Sequence, residues 1–372
     1  MGVGRWSAPV DADADDPRAV APRVPANRGV EARVSPGWRG RDSQLPRCMN
    51  IMCLRSMEGL VDATYIINLD RSTDRMAVMA QQCEALGIPY TRVPAIDGSK
   101  IKPHVLEKVT TPFCRRMCTT SMIGCALSHM RTWKTVVREG HHLALIMEDD
   151  ANIVPEFVAG LRRALADVPR DFDVLLLGCF FMCNKSRSYA LGTRLIKPFV
   201  HRRHDTRTWG SVYVPEAFAG SHCYVVSQQG ARKLLRLIPR VSWHIDIAIN
   251  VSPTINVYAV SPDLAFQRDM STSSIASYSF PKTLVPALDT IKDDKGIPLS
   301  YYMGTPFGRI GALTIDVWLV LLAVAGLTRH RRAAPYVAGW FLAEIMIGGS
   351  VLKPAVAFGV GWAVRAGVAR LL

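Results

Sequence analysis

Three consecutive acids, Glu148-Asp149-Asp150, directly follow the apolar run Ala144-Leu145-Ile146-Met147. Carboxylates held this close repel one another unless hydrogen-bond donors or a divalent cation neutralise them. Hard cations such as Mg²⁺ or Mn²⁺ are held by oxygen clusters of this kind. The competing reading is an acidic loop that opens the next helix. Acids favour helix N-termini, and Pro155 suits a first helical turn.

The apolar run itself reads as a buried strand, which needs apolar side chains on both faces. Open α/β sheets place their ligands at the C-terminal ends of such strands. Strand and helix signals alternate over residues 60–270, the pattern of an α/β domain with a mostly parallel sheet flanked by helices. Residues 64–69 are predicted as the first strand. A helix follows, capped by Ser72, with Met76, Met79, Cys83 and Leu86 on one face and Gly87 ending it. Residues 90–95 read as a second strand, and Asp97-Gly98 as the turn beyond it. Residues 103–122 look like an irregular basic insertion. A long amphipathic helix is expected over 124–139, with Leu127, Met130, Trp133 and Val137 on its apolar face. Further helices are predicted at 155–167 and 228–238, and strands at 173–178, 221–227 and 256–260. Residues 184–210, which contain His201-Arg202-Arg203-His204, read as a basic irregular excursion, either a lid or a solvated surface.

The chain has 372 residues and a formal net charge of +14. That balance favours anionic partners such as nucleotide-sugars, membranes or nucleic acid. No RNP-type motif, zinc-finger spacing or long basic block is present, so a dedicated nucleic-acid role is not expected. The nine cysteines are scattered and read mostly as free thiols of a reducing compartment. Residues 1–47 are rich in Pro, Arg, Asp and Gly without apolar periodicity and read as a disordered arm or a mispredicted start, and no signal peptide is expected at residue 1. Three apolar stretches, 310–327, 335–352 and 354–364, lie near the C-terminus, each a little short of the ~20 residues that span a bilayer. They read as membrane-associated helices, a hairpin or re-entrant anchor, against the alternative of a buried or oligomerising tail. The side of the membrane is left open: the basic segment after Leu327 argues for one topology, and Asn184-Lys185-Ser186 and Asn250-Val251-Ser252 would serve as glycan acceptors only in that topology.

The motifs, taken in order, resemble glycosyltransferase family 25, which includes bacterial lipopolysaccharide and collagen hydroxylysine galactosyltransferases. The matching pieces are residues 65–75 (YIINLDRSTDR), Pro94-Ala95-Ile96-Asp97-Gly98, Gly124-Cys125-Ala126-Leu127-Ser128-His129 with Trp133, residues 145–150 (LIMEDD), residues 220–227 (GSHCYVVS) with Gly230-Ala231, then Asp246, Gln267 and Ser273-Ser274-Ile275. The resemblance spans about residues 62–275. It implies a GT-A-like fold, a UDP-sugar donor, a divalent metal, and inverting transfer of galactose or glucose to a hydroxyl acceptor. The acceptor could be a glycan, a lipid-linked sugar or a protein hydroxyl.

On that resemblance Glu148 and Asp150 are a metal-holding pair, and Asp149 holds the metal or the ribose. Arg71 and Arg75 are expected on the diphosphate, with a surface-facing helix start as the alternative. Asn68 is expected on the base or ribose. Asp97 is expected on a ribose hydroxyl, or else serves as ordinary turn chemistry. His129 is either a sugar or phosphate contact or a buried structural hydrogen-bonder. Asp246, an acid among aromatic and apolar residues, is the candidate general base, with a structural or capping role as its alternative. The expected organisation is an arm over 1–60, a transferase domain over 61–275, a linker over 276–305 and apolar helices over 306–372. A non-catalytic glycan- or partner-binding relative of the same fold, anchored to a membrane, is the competing function.

Overall fold

The computed structural model describes residues 57–179, 208–215, 217–252, 254–268, 281–292, 298–311, 313–327, 334–347 and 349–371. Its first nine strands are β1 (Ala63–Asn68), β2 (Thr91–Pro94), β3 (Leu143–Glu148), β4 (Ala151–Ile153), β5 (Val174–Leu176), β6 (Thr208–Trp209), β7 (Val212–Tyr213), β8 (Cys223–Ser227) and β9 (Val257–Val260). All but β4 join one eight-stranded sheet, in the order β2-β1-β3-β8-β5-β9-β7-β6. Six of these eight strands run one way. Strands β8 and β7 oppose them, so the expected mostly parallel sheet is interrupted at its centre. Strand β4 pairs instead with β10 (Ala265–Gln267), antiparallel. That short ribbon draws Gln267 beside the acids.

The apolar run before the acids behaves as a strand buried on both faces should. Ala144 and Ile146 face one core layer with Trp133, Met122 and Tyr224, while Leu145 and Met147 face the other with Ile66, Met79 and Phe157. Helix α1 (Thr73–Ala85) follows β1 and buries Met79 and Cys83. Gly87 ends it with a left-handed φ of 63°. Ser72 stands at its N-cap but makes no capping bond; its hydroxyl accepts from Arg75 instead. The insertion expected at 103–122 is ordered. It holds α2 (Pro103–Val109) and α3 (Pro112–Met117), each begun by a proline, and Thr111 caps the second. These helices are too short to show a 3.6-residue period. Cys114 and Cys118 are joined in a disulfide and Cys179 is also disulfide-bonded, correcting the free-thiol expectation for these three.

Helix α4 (Thr120–Arg138) starts four residues earlier than expected because Thr119 caps it. Helices α5 (Phe157–Asp167), α6 (Gln228–Leu237) and α7 (Ile245–Asn250) complete the layers. Asn250 is buried and its amide is taken up by the Phe218 backbone, so it cannot serve as a glycan acceptor. The first sequon, His201 and His204, and residues 1–56 of the expected arm lie outside the described residues. Met57 and Leu60 of that arm pack into the core.

Beyond the sheet come α8 (Val285–Leu288), α9 (Leu299–Gly304), a hairpin of β11 (Gly308–Ile310) and β12 (Leu313–Ile315), and three tail helices. The tail helices are α10 (Val317–Leu327), α11 (Ala334–Met346) and α12 (Leu352–Leu371). No helix among the described residues is long and apolar enough to cross a membrane. Helices α10 and α11 have 11 and 13 residues, and the 20 residues of α12 include Lys353, Arg365 and Arg370. The transmembrane reading of the tail is therefore not supported, although its helical character is. Helices α10 and α12 approach closely through glycine: a Cβ on Gly361 would lie 1.9 Å from the Ala323 carbonyl oxygen. Buried Glu344 on α11 accepts backbone N–H bonds from Lys282 and Thr283, which ties the segment leading to α8 onto the tail.

Candidate active site

Two close approaches build the site before any charge is considered. A Cβ on Gly124 would stand 2.4 Å from the Ile96 carbonyl oxygen, and one on Gly98 would stand 1.8 Å from that of Thr120. Only glycine lets the start of α4 seat against the turn after β2. Ser128 fastens the same joint, accepting from the Ile96 N–H at 2.8 Å. The motif around Gly124 is thus a packing device that aims His129, directly after Ser128, at the end of β3.

His129 is buried, with Nδ1 2.9 Å from the Tyr224 hydroxyl and Nε2 3.3 Å from Glu148 Oε1. The Trp133 indole N–H donates to the same Tyr224 oxygen at 2.9 Å. The assignment that satisfies every group has Tyr224 donating to Nδ1 and His129 donating from Nε2 to Glu148. Ser221 also donates to Glu148 Oε1, at 2.9 Å. Burial by itself pushes the Glu148 carboxyl up, but the hydrogen bonds from His129 and the Ser221 hydroxyl outweigh it and hold the group below its ordinary value.

The other two acids are held differently. Asp149 accepts from Asn68 Nδ2 at 2.6 Å and lies 3.4 Å from Arg75. Burial raises its carboxyl against the pull of Arg75 and Asn68. Asn68 is itself fixed by Arg92, which donates to its Oδ1. Asp150 accepts from Gln267 Nε2 at 2.9 Å. Burial, then the charge of Glu148, pushes its carboxyl up to about 7. Its Oδ1 is buried without a partner among the described residues. At the mouth, Arg71 pairs with Asp97, whose carboxylate also takes the Ser99 hydroxyl and N–H. The Ser99 hydroxyl bond is the main cause that lowers Asp97, and Arg71 adds to it.

A cleft of about 150 Å³ gathers Arg71, Arg75, Asp97, His129, Glu148, Asp149 and Asp150, seven of the nine residues expected from sequence. Asn68 lies beneath it as a support for Asp149. Asp246 lines a neighbouring cavity of about 950 Å³ that shares Cys125, Glu148 and Gln267 with the cleft. Its carboxylate accepts from the Gly220 N–H at 2.9 Å and from the Ile247 N–H at 2.7 Å. Sequence reasoning assigned no role to Tyr224, Ser221, Cys125 or Gln267. The visible signal was a polar pair, Ser221-His222, ahead of an apolar strand.

Two donor sets are open to a cation. Cys125, His129 and Glu148 have ligand atoms within 4.8 Å of one another. Burial raises the Cys125 thiol far above its ordinary value, which favours the protonated form and makes it a poor ligand for a hard ion. The partnerless Asp150 oxygen beside Glu148 fits a hard divalent ion better, because such an oxygen is costly to bury unless something answers it.

A family model, glycosyltransferase family 25 (LPS biosynthesis protein), matches residues 61–249. The chain belongs to glycosyltransferase family 25. Relatives include a glycosyltransferase 25 family member of Anopheles gambiae, 29% identical over 185 residues, which are 47% of this chain and 28% of the relative. Procollagen galactosyltransferase 1 of Danio rerio is 26% identical over 191 residues, covering 48% and 29%. A putative glycosyltransferase of Acanthamoeba polyphaga mimivirus is 28% identical over 116 residues, covering 30% and 36%. The matches thus span about a third of these relatives' lengths. Every candidate residue except Gln267 falls inside the family-25 region, whereas α8 to α12 fall outside it.

Proposed function

We propose that this chain is a hexosyltransferase with a GT-A-like fold. It transfers galactose or glucose from a UDP-sugar to a hydroxyl acceptor, with inversion and metal assistance. The observation that carries this reading is the acid trio at the end of β3, with Asp149 and Asp150 buried, lining a cleft that also holds two arginines, in a chain of family 25.

In this reading Arg75, already beside Asp149, and Arg71 at the mouth hold the diphosphate. Glu148 and Asp150 hold the ion, which when bound supplies positive charge against the leaving diphosphate. His129 and Ser221 fix the Glu148 carboxylate, so His129 acts as a positioning residue. Asp97 and Asp149 face the ribose. Asp246 takes the proton of the acceptor hydroxyl from the cavity side. Its two backbone bonds occupy one lone pair on each oxygen and leave others to accept. Displacement with inversion needs the base and the leaving group on opposite sides of the anomeric carbon, and the cleft and the cavity are neighbours that share Cys125, Glu148 and Gln267.

A panel of nucleotide-sugars with Mn²⁺, scored by release of the nucleotide, tests this function. Release of UDP from UDP-galactose or UDP-glucose, suppressed by chelator, supports it. Tight binding of UDP with no turnover of any donor points instead to the non-catalytic relative.

The tail carries a second part of the reading. Helices α10 to α12 expose Leu321, Val324, Leu342, Met346 and Trp362. This exposure favours attachment to a membrane surface rather than crossing of a bilayer. Flotation with anionic vesicles, with and without residues 317–371, tests it. Equal flotation of both forms refutes it.

A further inference from the structure

The cavity beside the acids is lined largely by rings: Phe113, Trp243, Tyr301, Tyr302 and Phe307. Phe113 and Trp243 are stacked with centroids 5.0 Å apart. Three of these rings come from residues 299–307, which lie outside the family-matched region. That segment is docked and does not behave as a linker. The Pro306 carbonyl accepts from His244 Nε2 at 3.2 Å, and Arg309 donates to the Arg115 carbonyl at 2.9 Å. Helix α9 has two faces. Tyr301 and Tyr302 line the cavity, while Met303 packs against Trp318, Leu319 and Leu322 of the tail.

The polar groups of the cavity are mostly committed within the protein. The Asp246 carboxylate takes two backbone N–H groups, the Asn250 amide is paired with the Phe218 backbone, and His244 holds Pro306. A free oligosaccharide buried here would leave many hydroxyls without partners, which is costly. A ligand with one polar end and an apolar body meets ring faces along most of its length.

We infer that this cavity is the acceptor subsite, that residues 299–307 complete it, and that its ligand is a sugar hydroxyl carried on an apolar aglycone. The inference rests on the transferase reading for the identity of the cleft. The sugar sits at the shared edge by Glu148 and Asp246, and the aglycone lies over Trp243, Tyr302 and Phe307.

Calorimetric titration of the full chain with UDP and Mn²⁺ present tests it. The probes are octyl and phenyl glycosides of glucose and galactose, below any micelle concentration, against the free sugars. The glycosides are expected to bind at least tenfold more tightly. Tyr302→Ala and Phe307→Ala should each remove fivefold or more of that gain, and Met346→Ser on the exposed face of α11 should leave it intact. The octyl and phenyl arms separate a hydrocarbon from an aromatic aglycone. Equal binding of glycoside and free sugar overturns the inference. So does a gain that survives both ring substitutions, or one that Met346→Ser abolishes, which places the glycoside on the tail surface. UDP titration of each variant guards against misfolding. Phe307 is partly exposed, so Phe307→Ala decides should Tyr302→Ala lose UDP binding. The transferase reading fails separately, when no nucleotide-sugar releases its nucleotide although glycoside binding is intact.

Discussion

Replacing Asp150 by Asn should stabilise the protein and disable it together. Asn keeps the side-chain shape and can still accept the Gln267 bond of 2.9 Å. What it removes is a carboxyl raised by burial and by Glu148 from 3.8 to about 7. For an acid raised in this way, the folded state keeps a proton that the unfolded chain has already lost. Stability is therefore greatest below about pH 4, falls as pH rises through the interval, and is fully reduced above the folded value. A shift of this size corresponds to on the order of 4 kcal/mol at pH 8. In a domain of this size that amounts to about 8–16 °C of Tm, at roughly 2–4 °C per kcal/mol. Metal-free Asp150→Asn should therefore melt on the order of 10 °C above the parent at pH 8 and within about a degree or two at pH 4. Mn²⁺, which needs the carboxylate, should raise the Tm of the parent at pH 8 and barely move the variant. Transfer should fall about a hundredfold, the loss of ~3 kcal/mol of transition-state stabilisation. Thermal melts across pH with and without Mn²⁺, together with nucleotide release, read all of this. A variant less stable than the parent at pH 8, or one that keeps full transfer, would refute the reasoning.

Asp246→Asn should leave UDP affinity near normal and slow product formation by ~10²–10⁴ if Asp246 is the base; a joint fall in both means that its bonds to Gly220 and Ile247 matter structurally. Tyr224→Phe strips the buried Trp133 N–H and His129 Nδ1 of their shared partner. It should cost about 2–3 kcal/mol in urea denaturation, with transfer reduced about tenfold as His129 loosens from Glu148; unchanged stability contradicts the relay. Gly124→Ala puts a Cβ 2.4 Å from the Ile96 carbonyl oxygen. It should lower stability by about 1–3 kcal/mol and weaken UDP binding by displacing Asp97; a parent-like melt removes the close approach from the account.

The acid-lined cleft was legible in the sequence for a physical reason. A strand buried on both faces must be apolar, so the change at Glu148 marks where β3 leaves the core, and sheet topology places such an end at a ligand. Periodicity likewise located α4 and the burial of Trp133. It could not show that His129 meets Glu148, since that contact joins residues 19 apart on different elements. Hydrophobic pattern carries no strand direction, so the reversal of β8 beside β3 was invisible, as was the three-residue ribbon that delivers Gln267. Helices α2 and α3 were hidden by being shorter than two helical repeats.

The neighbouring cavity was harder to read because its parts are remote in the chain. Asp246 stood out as an acid among apolar residues, but whether it faces a cavity depends on rings from residues 299–307. Those rings follow a Ser-rich stretch whose composition suggests a linker. Ring faces carry no spacing signature of their own, and only the seating of residues 299–307, through Pro306 on His244 and Met303 on the tail, brings them together. In the proposed reading, donor recognition is built on strand ends, which sequence periodicity reports. The inferred acceptor subsite is completed by residues 299–307, whose helix α9 lines the cavity through Tyr301 and Tyr302 and packs on the tail through Met303. A change in the tail that shifts Met303 should therefore alter acceptor choice before it alters donor binding, because α9 is the element the two regions share.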